Sequence, residues 1–439
     1  MDLEGYAKRA LTRGEKDISD RLVDRILEIK DISKDQAEKL ATAVITEANA
    51  TLGLDNQILT FPRSGVTMGD FGVGSRGQGD FYAHEKIAEV IGKTGALVDS
   101  SQLDDSGVVR VSDGNHIIVT VDGMHSRLSD FPFLSGFHVT RAALRDIYVM
   151  GGLPIALFSD IHVSDDGDVA KIFDHIAGIS VVAEVMNVPL ITGSTLRIGG
   201  DMVIGERMTG CVGAVGQAVD ITSRKKAKAG DVILMTEGAG GGTISTTALY
   251  YGKAKIVKET LNVKFLNACE ILIREGFASK IHAMTDVTNG GIRGDAKEIS
   301  KTAGVRLSFE ENKLRPLVNP RVMAMLDELD IDYLGVSIDS LLIIATKEVA
   351  EEIKDLLFKN NMLVDEVGSV EEGSGSKITI DGKIKDFSPS FRESAYTPLK
   401  KIVGESSERD FSEMKKKVDE AVNESIGKKK DLINRIRGQ

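Results

Sequence analysis

Tryptophan is absent from this chain of 439 residues, aromatics make up only 5%, and there are just eight prolines and two cysteines. Without aromatic platforms there is little on which single-stranded bases could stack. The cysteines, Cys211 and Cys269, stand far apart in apolar settings with no metal-ligand spacing, so both are expected as reduced core residues. No window approaches the ~18 apolar residues that a membrane span requires. The opening MDLEGYAKRALTRGEKD is charged rather than apolar, so a cytoplasmic location is expected and a secretory one is not. An excess of positive charge is missing too. Lys plus Arg number 55 against 66 Asp plus Glu, for a net charge of -11, and such a field repels nucleic acid and anionic membranes.

What the chain has is length, 42% hydrophobic residues and 45 glycines, enough for two or three domains joined by tight turns around small ligands. Residues 1–60 read as a helical extension, with Ser33 to Gln36 resembling a capping box and Gly53 closing the helical run. Residues 61–222 mix strands and helices: HIIVTVDG is a β-branched run ending at an Asp, and HVTRAALRDIYVMGG a helix closed by two glycines. A basic, polar stretch, residues 223–230, reads as a joint. A second α/β unit follows to residue 400, and residues 401–439 read as a charged helical tail with a thin apolar stripe.

Four acidic positions sit where elements meet loops: Asp104-Asp105, Asp122, Asp146 and Asp286. An Asp at the end of a buried strand suits a divalent cation held by oxygens from separate segments, and Mg²⁺ bridging nucleotide phosphates is the natural candidate. The alternative is turn and cap chemistry, which Asp before Gly commonly serves. Asp146 is harder to read that way, because it lies inside an apolar helix where a carboxylate needs a cation or donors. Glycine clusters at 238–242 and at Thr288-Asn289-Gly290-Gly291 could form anion nests. Neither is a Walker A loop, and no kinase signature is present. The seven histidines show no zinc spacing; His84 and His125 stand nearest the candidate loops, as general base or phosphate partner. Gly72-Val73-Gly74-Ser75-Arg76-Gly77 matches the dinucleotide fingerprint literally, with Asp99 downstream, but no convincing strand precedes it.

Taken in order, these pieces resemble the superfamily of aminoimidazole ribonucleotide (AIR) synthetase, selenophosphate synthetase, thiamine-monophosphate kinase and the hydrogenase-maturation carbamoyl dehydratase. Asp104-Asp105-Ser-Gly-Val is similar to its Asp-Asp-Ala-Ala-Val, and Thr120-Val-Asp122 to its Thr-x-Asp strand end. The segment from Ala142 to Pro154 resembles its Asn-Ala-Leu-Ser-Asp-x-Tyr-Ala-Met-Gly-Gly-x-Pro helix. Ile191-Thr-Gly193-Ser194-Thr195 stands at its Gly-Gly-x-Thr, and Thr285-Asp286-Val-Thr288-Asn289-Gly-Gly at its Thr-Asp-Val-Thr-Gly-x-Gly. The resemblance implies an α+β, two-domain PurM-like fold whose N-terminal domain gives strands to a dimeric β-barrel and whose C-terminal domain is an α/β sandwich. It implies ATP and Mg²⁺ as cofactors, a homodimer, and phosphoryl transfer to a small-molecule acceptor.

By that resemblance Asp104, Asp105, Asp122, Asp146 and Asp286 are the metal set, and Gly72, Gly74, Gly77 and Gly79 form a mobile phosphate lid. Asp105, Gly193, Ser194, Thr195 and Thr288 join the lid in nucleotide binding. Asp122, Asp146, Asn289, His125 and Arg76 are the catalytic candidates, Arg76 neutralising charge and Asn289 or His125 orienting the acceptor. The departures are a glycine loop without the Cys and Lys of selenophosphate synthetases, no terminal cysteine, and Ser337-Ile-Asp339 where relatives often have Glu-Gly. Synthetase or kinase chemistry is the first expectation. A non-catalytic ATP-binding paralogue is the second, and a nicotinamide-dependent oxidoreductase the third.

Overall fold

The computed structural model describes residues 1–111, 114–288, 290–393 and 395–438. Three amphipathic helices open the chain, α1 (Leu3–Thr12), α2 (Ile18–Ile29) and α3 (Lys34–Ala50), burying Leu3, Leu22, Ile26 and Ala41 against one another and Ile204. Ser33 and Gln36 form the capping box that starts α3. Helix stops at Ala50, just before Gly53, the residue expected to close it, which adopts positive φ. Lys30 ties this bundle to the next unit through ion pairs to Asp165 and, at 2.7 Å, Asp166. Two helices then bracket the glycine-rich stretch, the short α4 (Met68–Phe71) and α5 (Gln78–Ile91).

The next unit runs β1 (Gly107–Arg110), β2 (His116–Gly123), α6 (Pro132–Val149), β3 (Leu153–Val163), α7 (Ala170–Val185), β4 (Leu190–Arg197) and β5 (Met208–Ala218). Its sheet is ordered β1-β2-β5-β3-β4 and open, all neighbours antiparallel except β3 and β4. One face is covered by α6. The other leaves Val119, Val121 and Leu196 exposed. Cys211 lies on this open face, in register with Gly123 and Asp160, and is half-exposed, which corrects its reading as a core residue; Cys269 is buried as expected.

The following unit contains β6 (Val232–Thr236), α8 (Gly242–Tyr250), α9 (Val257–Thr260), α10 (Lys264–Arg274), β7 (Ala283–Asp286), α11 (Gly291–Ala303) and β8 (Val305–Glu310). It continues with α12 (Glu311–Leu314), α13 (Pro320–Glu328), β9 (Leu341–Ala345), α14 (Lys347–Lys359), β10 (Val364–Glu372), β11 (Ser376–Ile380) and β12 (Lys383–Asp386). Its seven strands are ordered β12-β11-β8-β10-β6-β9-β7. The chain closes with α15 (Pro398–Val403) and α16 (Phe411–Arg437). No helix among the described residues is long and apolar enough to cross a membrane.

One hydrophobic cluster runs through both units: Ile118, Leu144 and Ile147 of the first touch the same core as Leu234, Cys269, Met284 and Leu341 of the second. The helix α6 is the shared element, started by Pro132 and buried on nearly every side, with its last turns against β7 and α10. A helix apolar all round belongs in a core, so each polar residue on it must find a partner there. Fully burying one side chain such as Leu144 contributes about 1.5–3 kcal/mol, which the polar insertions partly offset.

Candidate active site

The polar insertions on α6 include His138, Thr140, Arg141, Arg145 and Asp146. Asp146 faces β2, where Thr120 Oγ1 donates to its Oδ2 at 2.8 Å. Strand alternation puts Asp122 on the same side of β2 as Ile118 and Thr120, toward α6. Arg145, one residue earlier on α6, points to the other unit: its Nε lies 2.8 Å from Asp286 Oδ2 at the end of β7, and its Nη1 pairs with Asp339. Asp339 also pairs with Arg141 and has positive φ, a backbone conformation that Asp tolerates better than most residues. Helix α6 therefore carries carboxylate and guanidinium to a junction that neither sheet could form alone.

A second guanidinium organises the opposite wall. Arg224, 2% exposed, sends Nη2 to Asp105 Oδ1 and to Thr285 Oγ1, both at 2.7 Å, and its Nη1 stands 3.0 Å from Glu298. Asp295, one turn before Glu298 on α11, lies 3.8 Å from the same arginine. Asp104 faces the same segment, accepting from Ser223 Oγ at 2.5 Å and from the Arg224 N–H at 3.3 Å. The stretch read as a joint thus holds a buried arginine around which the acidic residues of both units assemble.

Crowded carboxylates in a buried site resist ionisation. Burial, then the neighbouring charges of Asp286, Asp104 and Glu298, pushes the Asp105 carboxyl up to about 7 against the opposing pull of Arg224. Asp122 is pushed up to about 6 by burial and Asp286, with Arg145 and Arg76 opposing. Asp146 and Asp295 are held well above the usual carboxylate range, burial again leading. Asp105 Oδ2 and Asp295 Oδ2 are buried without a hydrogen-bond partner among the described residues. Such atoms are costly unless something else satisfies them.

The glycine-rich segment lies over this cluster. Arg76 has positive φ, and its guanidinium stands 3.9 Å from Glu298. No strand precedes Gly72; the short α4 does, which removes the dinucleotide-fold reading of the motif. The segment is also tightly packed. A Cβ on Gly77 would sit 2.1 Å from the Phe391 carbonyl oxygen, and one on Gly79 1.6 Å from that of Phe71. The Gln78 N–H donates to the Ser390 carbonyl at 3.1 Å and the Glu393 N–H to that of Ser75 at 3.2 Å. Gly72 and Gly74 both take positive φ in the turn between α4 and α5. Residues 389–393 thus hold the stretch expected as a lid.

The expected residues divide into groups. Asp104, Asp105, Asp122, Asp146, Asp286 and Arg76 come together at the junction. Thr288 sits beside them at the turn into α11, and a Cβ on Gly290 would meet Arg76 Cβ at 2.7 Å. Asn289 lies outside the described residues. Gly193, Ser194 and Thr195 are exposed on the edge strand β4, separated from β2 by β5 and β3, about 14 Å at ~4.8 Å per strand step, so this chain does not bring them to its own cluster. His125 stands apart, sharing hydrogen bonds with Tyr396 Oη and Thr246 Oγ1, each at 3.1 Å; burial and the cations Lys400 and Arg127 push its imidazole down to about 4. Among the described residues no three His, Cys, Asp or Glu side chains already form a group that could hold a metal.

Arg224, Asp295, Glu298 and the Arg141–Asp339–Arg145 network did not emerge from the sequence. Asp295 carried a signal, since it interrupts the apolar stripe Ile292, Ala296, Ile299 of α11. Arg224 carried none, being one cation in a basic, polar run.

Two family models match this chain: "AIR synthase related protein, N-terminal domain" over residues 103–218 and "AIR synthase related protein, C-terminal domain" over residues 228–381. The chain belongs to the AIR synthase related family. Among relatives, an uncharacterized protein of Methanocaldococcus jannaschii is 54% identical over 99% of this chain and 97% of its own. Selenide, water dikinase of Myxococcus xanthus is 30% identical over 51% of this chain and 62% of its own, so the AIR synthase related chain spans less than two thirds of that enzyme. Among solved structures, the "HypE-HypF complex" aligns at a TM-score of 0.56 and 19% identity over 69% of this chain and 98% of that one. "AaThiL complexed with AMPPCP and TMP" aligns at 0.54 and 17% over 71% and 95%. These likenesses support the two-unit α+β, PurM-like fold.

Proposed function

We propose that this chain is an ATP- and Mg²⁺-dependent phosphoryl-transfer enzyme acting on a small-molecule acceptor as a homodimer. The observation that carries the reading is the convergence of Asp105, Asp122, Asp146 and Asp286 with Arg76 and Arg224 at one junction, beneath a glycine-rich segment. The names of similar proteins support it: one is a dikinase, and another was solved with AMPPCP, an ATP analogue.

Mg²⁺ fits these residues. Carboxylates that resist ionisation beside one another are relieved by a cation, and Asp105 Oδ2 is a buried acceptor without a donor. Mg²⁺ usually keeps several waters and takes only one or two protein carboxylates together with nucleotide phosphates, so a closed cage of three acidic ligands is not required. One or two of Asp105, Asp122, Asp146 and Asp286 would hold it directly and the others through its waters, and it would supply the charge that bridges phosphate oxygens. Arg76 and Arg224 bring fixed positive charge to the same place, and residues 72–79 with 389–393 exclude water from above.

The open face of the first sheet, with Val119 and Val121 exposed, is the surface on which a second copy would complete a barrel and approach Gly193, Ser194 and Thr195 from the other side. A second reading, an ATP-binding paralogue without turnover, draws on one observation: Arg145 is already paired with Asp286, a fixed cation beside a carboxylate expected to meet metal. Calorimetric titration with ATP, with and without Mg²⁺, followed by an ADP-release screen over acceptors, separates the two. Asp122→Asn is expected to abolish turnover while keeping the fold; wild-type turnover in that variant would remove the mechanism, and tight Mg²⁺-dependent binding with no ADP for any acceptor would favour the paralogue.

A further inference from the structure

We infer that the N-terminus of α8 seats a phosphate that retains a proton, carried by the acceptor or left free in the site; the inference rests on the phosphoryl-transfer reading above and adds the chemistry of a second subsite. Helix α8 follows the run Glu237-Gly-Ala-Gly-Gly-Gly242, and Gly241 is its N-cap, with no side chain bonded to the first turn. First-turn amides have no intrahelical acceptor and carry the positive end of the helix dipole, so they present donors to whatever lies there.

An independent observation comes from α6. His138 is 6% exposed, and its Nδ1 is buried without a hydrogen-bond partner among the described residues. A Cβ placed on Gly241 would lie 3.9 Å from that nitrogen and 4.0 Å from Arg145 Nη1, so both are aimed at the start of α8. Arg145 is fixed there by its pairs with Asp286 and Asp339.

Counting protons along the chain of bonds from His138 shows what Nδ1 requires. Thr260 Oγ1 donates to the Val257 carbonyl at 2.7 Å, which uses its one proton. Ser245 Oγ, 2.8 Å from Thr260 Oγ1, must therefore be the donor in that pair. The Ser245 oxygen, its proton spent, accepts from His138 Nε2 at 2.9 Å. With the imidazole proton on Nε2, neutral His138 faces the helix terminus with the Nδ1 lone pair. The start of α8 thus presents several donors and one acceptor. At neutral pH HPO₄²⁻ satisfies both, through its charged oxygens and its P–OH; sulfate has the same shape and charge but no proton, and would leave Nδ1 facing an oxygen.

The test is calorimetry on the full chain at pH 7, saturated with MgAMPPCP, titrated with inorganic phosphate and then with sulfate. Phosphate is expected to bind about tenfold or more tightly than sulfate, the scale set by an unsatisfied buried acceptor. His138→Phe is expected to bring the ratio to about one. Gly241→Asp places a tethered carboxylate on the helix start, where the Cβ has ordinary contacts, and is expected to abolish binding of both anions; Gly241→Ser is its uncharged control. Equal wild-type affinities, no phosphate binding, an unchanged ratio in His138→Phe or undiminished binding in Gly241→Asp would each overturn the inference. Methyl phosphate identifies the source: binding like that of phosphate supports a seat for a phosphorylated acceptor, and binding of inorganic phosphate alone supports a seat for free phosphate. Failure of MgAMPPCP to bind would count against the ATP reading alone, because Gly241→Asp still isolates the α8 seat.

Discussion

Asp105→Asn should make the metal-free protein more stable. In the unfolded chain the Asp105 carboxyl ionises at its ordinary value of 3.8, whereas in the fold it is held up to about 7. Between those values the folded state binds the extra proton, so rising pH favours unfolding, and the effect is complete above about 7. Taking 1.36 kcal/mol per pKa unit, ionised Asp105 costs the fold on the order of 4 kcal/mol at pH 8 and roughly 2 kcal/mol at pH 5.5. Asparagine removes the ionisation and keeps the shape. Arg224 loses one partner but retains Glu298 at 3.0 Å, which offsets part of the gain. Thermal or denaturant melts of wild type and variant at pH 5.5 and 8, in EDTA, should show a gap favouring the variant that widens by about 2 kcal/mol toward pH 8. Adding Mg²⁺ with AMPPCP should stabilise wild type and leave Asp105→Asn nearly unmoved. A pH-independent gap, or a variant less stable at pH 8, would show that Asp105 is not held up by its buried, acidic surroundings.

Arg224→Met should destabilise by about 3–5 kcal/mol, since Asp105, Asp295 and Glu298 lose their shared cation, with Arg224→Lys costing less; unchanged denaturation midpoints would refute the hub. Phe411→Ala removes a ring packed 5.5 Å from Phe71 and 5.2 Å from Phe391, and hydrogen exchange should speed up in α16 and residues 68–91 but not in β2 or β7; a uniform change would contradict this. Val121→Asp, exposed in the single chain, should keep the fold, convert the dimer proposed above to a monomer in sedimentation and lower the melt by the stabilisation that association supplies; a variant that still sediments as a dimer would exclude that face.

Local features were legible in the sequence. The capping box of α3, the strand HIIVTVDG and the long helix ending at two glycines depend on neighbours a few residues away, and all three form. The acidic residues were legible for a different reason: each stands at a strand end or inside an apolar helix, where a carboxylate needs an explanation. Arg224 was not, because its burial depends on Asp105 and Glu298, both far off in the chain, and its own neighbours are lysines. Cys211 was misplaced because a Gly-Cys-Val-Gly stretch does not reveal which face of a strand is covered.

The hold that residues 389–393 and 409–411 take on the glycine segment has a temporal consequence. Gly69, Asp70, Ser75 and Gln78 are bonded by Arg392, Arg409, Glu393 and Ser390, partners made more than three hundred residues later. During synthesis both sheets can be complete while the roof over the acidic junction still waits for its fastenings. A growing chain would then pass through a stage that is built but unroofed, and nucleotide retention would report on finished translation as well as on folding.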